Sequence, residues 1–327
     1  MSDACIANVP KIVHSPLWLT ATISQSVFSV LTLVVSIFFL RRLRDPTIFS
    51  FSTIALLTLA AVFANVHALD VIGIHTHHFV LSSLYNTPCE LTLRTRDCAF
   101  ANYMLICCII GMVSCQNMLW IDRALATACP SPYHKRAKPI GFALAALVIL
   151  TSFLVPFLIL RNDPYDDYVI TCFNTPRGSA AQVNDMFYSL ICLNFVAVIA
   201  NAFLFFVNKQ KERMLRFNVS HRYLAYENTM VSKWIGLIAV TQFVVMTTYS
   251  SAMYAIRTTA NMPDVLRANL RTGFYLVPLS TFMLPLISIV ALRCVSQRRQ
   301  SSITRLTHEQ VDQTAYMSGL EQMWNKT

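Results

Sequence analysis

Two sets of side chains in this 327-residue chain have the type and spacing to do chemistry. His75, His77 and His78 fall close together, and neutral imidazole is the commonest metal ligand. On a connection between helices they would have no fixed geometry, and no second cluster supplies further ligands. They read better as interfacial polar residues, and no metal or other cofactor is expected. The second set is Asp122-Arg123, an acid beside a permanent cation, able to form an ion pair at a helix end. Other chemistry is missing from the apolar stretches described next. They hold no Lys for a retinal Schiff base, no carboxylate pair and no Ser–His set, so an enzyme is not expected. Pumps and proton-coupled transporters place ionisable groups at mid-membrane; here the only candidate is His67, near the outer end of the second stretch.

The elements that must position these groups are apolar. Hydrophobic residues make up 55% of the chain and charged ones 13%, where soluble domains carry about 25% charged residues. A bilayer core about 30 Å thick is crossed by roughly 20 apolar helical residues. Seven stretches reach that length: Leu17–Leu40, Ile48–Leu69, Ala99–Ile121, Ile140–Leu160, Met186–Val207, Trp234–Ile256 and Thr272–Leu292. None contains Asp, Glu, Lys or Arg. Backbone groups in lipid must pair internally, so each stretch is a helix; barrel strands would be shorter and alternating. Buried helices of a soluble protein would need charged faces, and these have none. The expected fold is an all-α membrane protein, a seven-transmembrane helix bundle over residues 17–292, with a short terminus (1–16) before it and a tail (293–327) after it. The first stretch is too long for the apolar part of a cleavable signal, and Arg41, Arg42 and Arg44 follow it, so it reads as an uncleaved anchor.

Lys and Arg collect on the cytoplasmic side of a membrane protein. With the N-terminus outside, 18 of the 26 basic residues lie on the inner segments and 8 on the outer. The expected orientation is N-terminus outside and C-terminus cytosolic. The net charge of +10 is then a membrane feature and calls for no nucleic acid. In the same frame Cys5, Cys89, Cys98 and Cys172 face the oxidising exterior, where disulfides persist. Four cysteines allow three pairings and sequence does not choose among them. The favoured pair is Cys98–Cys172, which would pin the second outer loop to the third span and leave Cys5–Cys89.

Uncharged polar residues are frequent in the spans, among them Asn65, Asn102, Gln116, Asn117, Asn194, Asn201, Thr247 and Thr248. In lipid they must face the bundle or a hydrated cavity. Asn194 and Asn201, two helical turns apart, share one face and read as helix–helix contacts. Aromatic residues gather in the outer halves: Tyr103, Phe187, Tyr188, Tyr249, Tyr254, Phe274 and Tyr275. Some belong to an interfacial belt, but Tyr249 is too deep for that. An apolar, aromatic pocket with a few polar groups is the usual form of a small-molecule site. Asn102, Tyr103, Tyr188, Thr248, Tyr249 and Tyr275 are its expected lining.

Three runs carry a family resemblance. Asp122-Arg123-Ala124-Leu125-Ala126-Thr127 follows the third span, Tyr133 stands downstream, and Arg222-Tyr223-Leu224-Ala225-Tyr226-Glu227-Asn228 leads into the sixth. The chain resembles nematode serpentine chemoreceptors of the Sra superfamily, nearest its class alpha and alpha-beta members, in an acid–Arg–x–x–Ala–Thr run, a downstream Tyr and an Arg-Tyr-Gln-x-x-Glu-Asn run. Cys5, Cys89 and Cys98 also fit. The seventh span has Leu284-Pro285-Leu286-Ile287-Ser288, the sixth lacks proline and the second lacks Asp, so the pattern is not that of rhodopsin-like receptors. The resemblance implies a G-protein-coupled receptor for a small molecule, with a heterotrimeric G protein as partner and display on the plasma membrane of sensory cilia. It implies a switch at Asp122 and Arg123, with Glu227 as the partner of Arg123 on the sixth helix. A transporter or channel-like protein without G-protein coupling is the alternative, and the absence of charge from the spans speaks against it. Beyond the last span, Arg298 and Arg299 precede Ser301 and Ser302, a kinase or anionic-lipid context, and Cys294 is placed for palmitoylation.

Overall fold

A helix in lipid ends only where its terminal backbone groups find other partners, and those ends decide where side chains converge. The computed structural model describes residues 9–43, 49–84, 91–173, 176, 178–214, 219–259 and 261–324, with backbone alone at 131, 134, 219–224, 227, 298–300, 302–316 and 319–324. The elements in order are α1 (Pro16–Leu43), α2 (Phe51–Leu84), β1 (Leu93–Arg94), α3 (Ala99–Ala128), α4 (Pro130–Leu160), β2 (Tyr168–Val169), α5 (Ala180–Met214), α6 (Val219–Thr258), α7 (Asp264–Gly273) and α8 (Val277–Trp324). Among the described residues seven helical segments are long and apolar enough to cross a membrane, the seventh being α7 with α8 as far as Gln297. The chain is a seven-transmembrane bundle. The apolar window of α3 is 72% buried, against 22–28% in α1, α4 and α5, so α3 is the central post. The outer helices turn bulky groups such as Phe157, Phe203 and Phe206 outward, as lipid contact requires.

Three terminations matter for function. Ser50 stands before α2 and its Oγ accepts from Thr53 N at 3.4 Å, an N-cap. Cys129 alone separates α3 from α4: its N–H closes α3 on Leu125 O at 3.0 Å, and Pro130 opens α4, a position where its missing N–H costs nothing. That corner brings Tyr133, in the first turn of α4, back to the end of α3. The seventh span is interrupted between Gly273 and Val277. Across the gap Gln25 of α1 donates Nε2 to Thr272 O at 2.7 Å and Tyr275 O at 3.3 Å, so carbonyls freed by the break are satisfied from a neighbouring helix. At the other end of the bundle α2 and α4 approach closely at Gly141, where a Cβ would lie 2.8 Å from Ser52 Cα.

The helices outrun the apolar stretches. His75, His77 and His78, read above as lying on a connection, are on α2, which continues 15 residues past Leu69 to Leu84. Asp70 therefore falls inside the helix that holds the second apolar stretch, and Arg257 inside the one that holds the sixth, each one residue past the end of its stretch. A single ionisable residue does not stop a helix when neighbouring helices shelter it. The tail continues α8 to Trp324. Opposite that end, β1 and β2 pair antiparallel with Leu93 against Val169 and Arg94 against Tyr168. Thr95 extends the pairing with its N–H and hydroxyl on Asp167 O at 2.9 and 2.8 Å. Cys98 and Cys172 are joined, Cα atoms 5.1 Å apart, which fixes this loop pair to the start of α3. Cys5 and Cys89 lie outside the described residues.

Candidate functional site

Neighbouring residues on a helix do not normally face each other, yet Asp122 and Arg123 form an ion pair at 2.6 Å with 0% and 1% side-chain exposure. Other helices hold both groups in place. Thr53 of α2 donates to Asp122 Oδ2 at 3.0 Å and Tyr133 of α4 donates to Oδ1 at 2.7 Å. Arg123 gives Nη2 to Ser50 Oγ at 2.7 Å and to Tyr133 OH at 3.0 Å. Its Nη1 reaches Asn228 Oδ1 of α6 at 3.1 Å. A buried pair of charges is stable only when its remaining donors and acceptors are met, and this cluster meets them from α2, α4 and α6. Burial pushes the Tyr133 phenol up to about 12, with Arg123 opposing and Asp122 adding to the shift. Tyr133 therefore stays a donor at neutral pH. One turn further on, Thr127 exchanges hydrogen bonds with Asn208 of α5 at 3.0–3.1 Å, and Lys211 donates to Thr127 O at 2.8 Å. The end of α3 is thus tied to α2, α4, α5 and α6.

The sequence reading named Asp122 and Arg123 for this end and left out Ser50, Thr53, Asn208 and Asn228 as partners. The Glu227 side chain lies outside the described residues; its neighbour Asn228 is the described α6 partner of Arg123. Asn208 extends the seven-residue spacing of Asn194 and Asn201, which are buried to 0% and 1% exposure. That repeat was the available signal.

Toward the other end of the bundle, about 32 Å along α6 from Asn228 to Tyr249, lies the second cluster. Tyr249 and Tyr275 meet edge to face with ring centres 5.6 Å apart. Phe187 packs on Tyr249 at 5.2 Å, and Phe173 on Tyr275 at 4.7 Å. Phe173 follows Cys172, so the disulfide holds it beside this pair, partly buried, with the His75 ring also in contact at 5.0 Å. Tyr275, in the break of the seventh span, bonds its hydroxyl to His67 Nε2 at 2.8 Å, and His75 Nε2 meets Gln25 Oε1 at 3.0 Å. Gln25, His67, His75 and Phe173 were not among the expected lining. Asn102 is buried, and its Nδ2 has no partner among the described residues.

Two expected lining residues do not face this interior. Thr248 is exposed and bonds back to Val244 O at 2.8 Å, because the face of α6 that carries Tyr249 leaves its neighbour toward lipid. Tyr103 donates to Phe153 O of α4 at 2.9 Å, on the outer side of α3. Tyr188 is 44% exposed and pairs with Tyr254 at 6.1 Å; it lines a separate cleft between α5 and α6 that shares Tyr249. Cys294 is partly exposed on α8.

Comparison with known proteins bears on this two-ended bundle. Residues 2–324 match the profile of the family described as serpentine type 7TM GPCR chemoreceptor Sra. Serpentine receptor class alpha-10 of Caenorhabditis elegans is 32% identical, with 99% of this chain and 98% of the relative covered. The class alpha-10 receptor of Caenorhabditis briggsae is also 32% identical, with 92% of each covered. Class beta-18 of Caenorhabditis elegans is 26% identical, with 87% of this chain and 79% of the relative covered. These are receptors rather than enzymes. The chain belongs to the Sra family of serpentine, seven-transmembrane G-protein-coupled chemoreceptors.

Proposed function

We propose that this receptor binds a small molecule at the Tyr249–Tyr275 end and activates a heterotrimeric G protein at the Arg123 end. In this reading the Tyr249–Tyr275 end faces out, with the N-terminus, and the Arg123 end faces the cytosol, with the C-terminal tail. The 18 to 8 division of Lys and Arg supports that orientation, and so does a disulfide at the opposite end from Arg123. The receptor works at the plasma membrane, by family in a sensory cilium, and Cys294 would add a palmitoyl anchor to the tail.

The observation that carries the reading is the linkage of Arg123 to α6 through Asn228. A buried arginine satisfied by the cap of α2, by α4 and by α6 is a resting arrangement: the cation that would meet a partner is covered. Moving this end of α6 off Arg123 breaks the described bond to Asn228 and uncovers the inner end of α3. The test is a ligand screen with a second-messenger readout, followed by Arg123→Ala at matched surface level. A response that Arg123→Ala abolishes supports the proposal. Ligand-evoked current or flux in cells lacking G proteins would replace it with a transporter or channel.

A further inference from the structure

Between the two clusters, α3, α5 and α6 carry buried amides that meet no hydrogen-bonding group among the described residues. Gln116 has neither Nε2 nor Oε1 partnered there, and Asn194 neither Nδ2 nor Oδ1. Gln242 Oε1, Asn201 Oδ1 and Ser232 Oγ are buried in the same way. All five residues are 2% exposed or less. Helical spacing brings them to one seam. Helices α5 and α6 meet at Phe187 and Tyr249. Asn194 and Gln242 each stand two turns from that contact, toward the Arg123 end, and their neighbours Phe195 and Phe243 touch with ring centres 5.7 Å apart. Gln116 stands two turns before Arg123, on the face of α3 that meets α6 at Asn228. Counted back from the Thr127–Asn208 bond, it falls between the levels of Asn194 and Asn201, about 5 Å along the axis from each. Ser232 follows Asn228 by one turn of α6. There is room beside the seam: Gly236 of α6 has no side chain, and a Cβ there would meet only Asn201 Cβ within 4 Å, at 3.6 Å. A space that takes a methyl in ordinary contact is wide enough for a water molecule.

We propose that this seam is a binding site for structural water, a file of molecules bridging Gln116, Asn194, Asn201, Ser232 and Gln242. An amide buried with no partner carries its full desolvation cost, and internal waters relieve such groups with two to four hydrogen bonds each. The orphaned atoms are uncharged and include donors as well as acceptors, which suits water and neither a cation nor an anion. The site joins the Tyr249 cluster to the Arg123 cluster along the inward face of α6. Bridges through water are nearly as favourable as direct bonds and change partners without leaving a group bare. Helix α6 can therefore shift against α3 and α5 along the seam while the direct bond at Asn228 is the one that has to break.

The purified full chain in phosphatidylcholine nanodiscs is given a brief X-ray pulse in water enriched in heavy oxygen, which labels side chains lying beside bound water, and is read by peptide mass spectrometry. Met246, fully buried one turn from Gln242, is the reporter, and exposed Met317 is the reference. Met246 should take up label within about tenfold of the Met317 rate despite its burial. Asn194→Leu and Gln116→Met keep much of the side-chain shape but remove seam partners, and each should cut that labelling about threefold. Both variants should also melt about 2–4 °C lower, because bridging waters lose a partner. In a dry seam the sign reverses, since removing an unpaired buried amide stabilises the fold. Neither readout needs a ligand or a G protein, so failure here is distinct from failure of the receptor reading. The proposal is overturned by an unlabelled Met246, by labelling that neither variant reduces, or by variants that melt higher than the parent. An unlabelled Met246 with both variants melting lower, and the double variant no worse, would mean that the amides bond one another directly. Labelling of the unaltered chain decides the matter even if a variant does not fold.

Discussion

Asn228→Ala removes one link in the Arg123 cluster and spares the others. Arg123 keeps Asp122, Ser50 and Tyr133, so the junction of α2, α3 and α4 stays assembled and the receptor should reach the surface. What goes is the 3.1 Å bond from Nη1 to Asn228 Oδ1, which joins α3 to α6. A hydrogen bond to a charged group contributes about 1.5–3 kcal/mol. Some of that returns when water or another acceptor reaches the guanidinium at the bundle mouth, which leaves about 1–1.5 kcal/mol specific to the resting state. A differential of that size raises the ratio of active to resting receptor about 5- to 12-fold. Ligand-free nucleotide exchange, normalised to surface receptor, reads this directly. Asn228→Asp runs the other way: a carboxylate facing Arg123 strengthens the link and should lower basal exchange. Basal exchange unchanged in both variants, with ligand responses intact, would refute the reasoning that this bond holds the resting state.

Three further outcomes follow from the packing. Gly141→Ala places a methyl 2.8 Å from Ser52 Cα, a backbone atom that cannot give way, so overpacking of about 1–3 kcal/mol should lower thermal stability and surface yield. Replacing Cys98 or Cys172 opens a loop of sequence separation 74, worth about 4–5 kcal/mol by chain entropy; each single variant and the double should lose surface expression equally, and additive losses would mean separate partners. Gln25→Leu removes the donor to Tyr275 O, leaves Thr272 O only the 3.2 Å bond from Tyr275 N–H, and takes the Gln25 partner from His75. Detergent-solubilised protein should melt earlier by an amount corresponding to about 1–3 kcal/mol, whereas a melt like the parent's would mean that the break in the seventh span is satisfied some other way.

Composition and periodicity made the bundle legible because lipid leaves so few choices. Charge-free stretches of sufficient length must be helices, and seven could be counted. Their ends were less legible, since Asp70, His75 and Arg257 each find shelter from neighbouring helices that the linear sequence does not reveal. At the Arg123 end, Asp122 and Arg123 stood out as charges at a helix terminus. Ser50 and Asn228 did not, because a serine before a helix and an asparagine within one are ordinary until a distant guanidinium arrives at 2.7 or 3.1 Å. At the other end depth alone pointed to Tyr249. Thr248 was misplaced because one residue of helix is a turn of about 100°, enough to carry a side chain from the interior to lipid. Phe173 lay in a connection, and only its place beside Cys172 hinted that it would be held in the mouth.

The two clusters share one element that can couple them. Helix α6 carries Tyr249 and Arg257 at one end and Asn228 at the other, within a continuous run from Val219 to Thr258. It contains no proline and a single glycine, Gly236, so it lacks the usual causes of a sharp kink and must move largely as a rod. At that glycine α6 lies against α5 with room to spare for a methyl, a Cβ there finding Asn201 Cβ at 3.6 Å. Taken as the pivot, Gly236 divides the rod into arms of about 20 Å to Tyr249 and about 12 Å to Asn228. Filling the cleft so that the Tyr249 end moves 2 Å from α5, on the order of a side-chain adjustment, swings the Asn228 end about 1.2 Å in the opposite sense. Directed along the bond to Arg123, that shift takes 3.1 Å past the roughly 3.5 Å limit of a hydrogen bond. Coupling therefore requires no unfolding and no proline hinge, only that α6 stay stiff. A glycine pair or proline inserted between Gly236 and Tyr249 should uncouple ligand binding from nucleotide exchange while leaving binding itself in place.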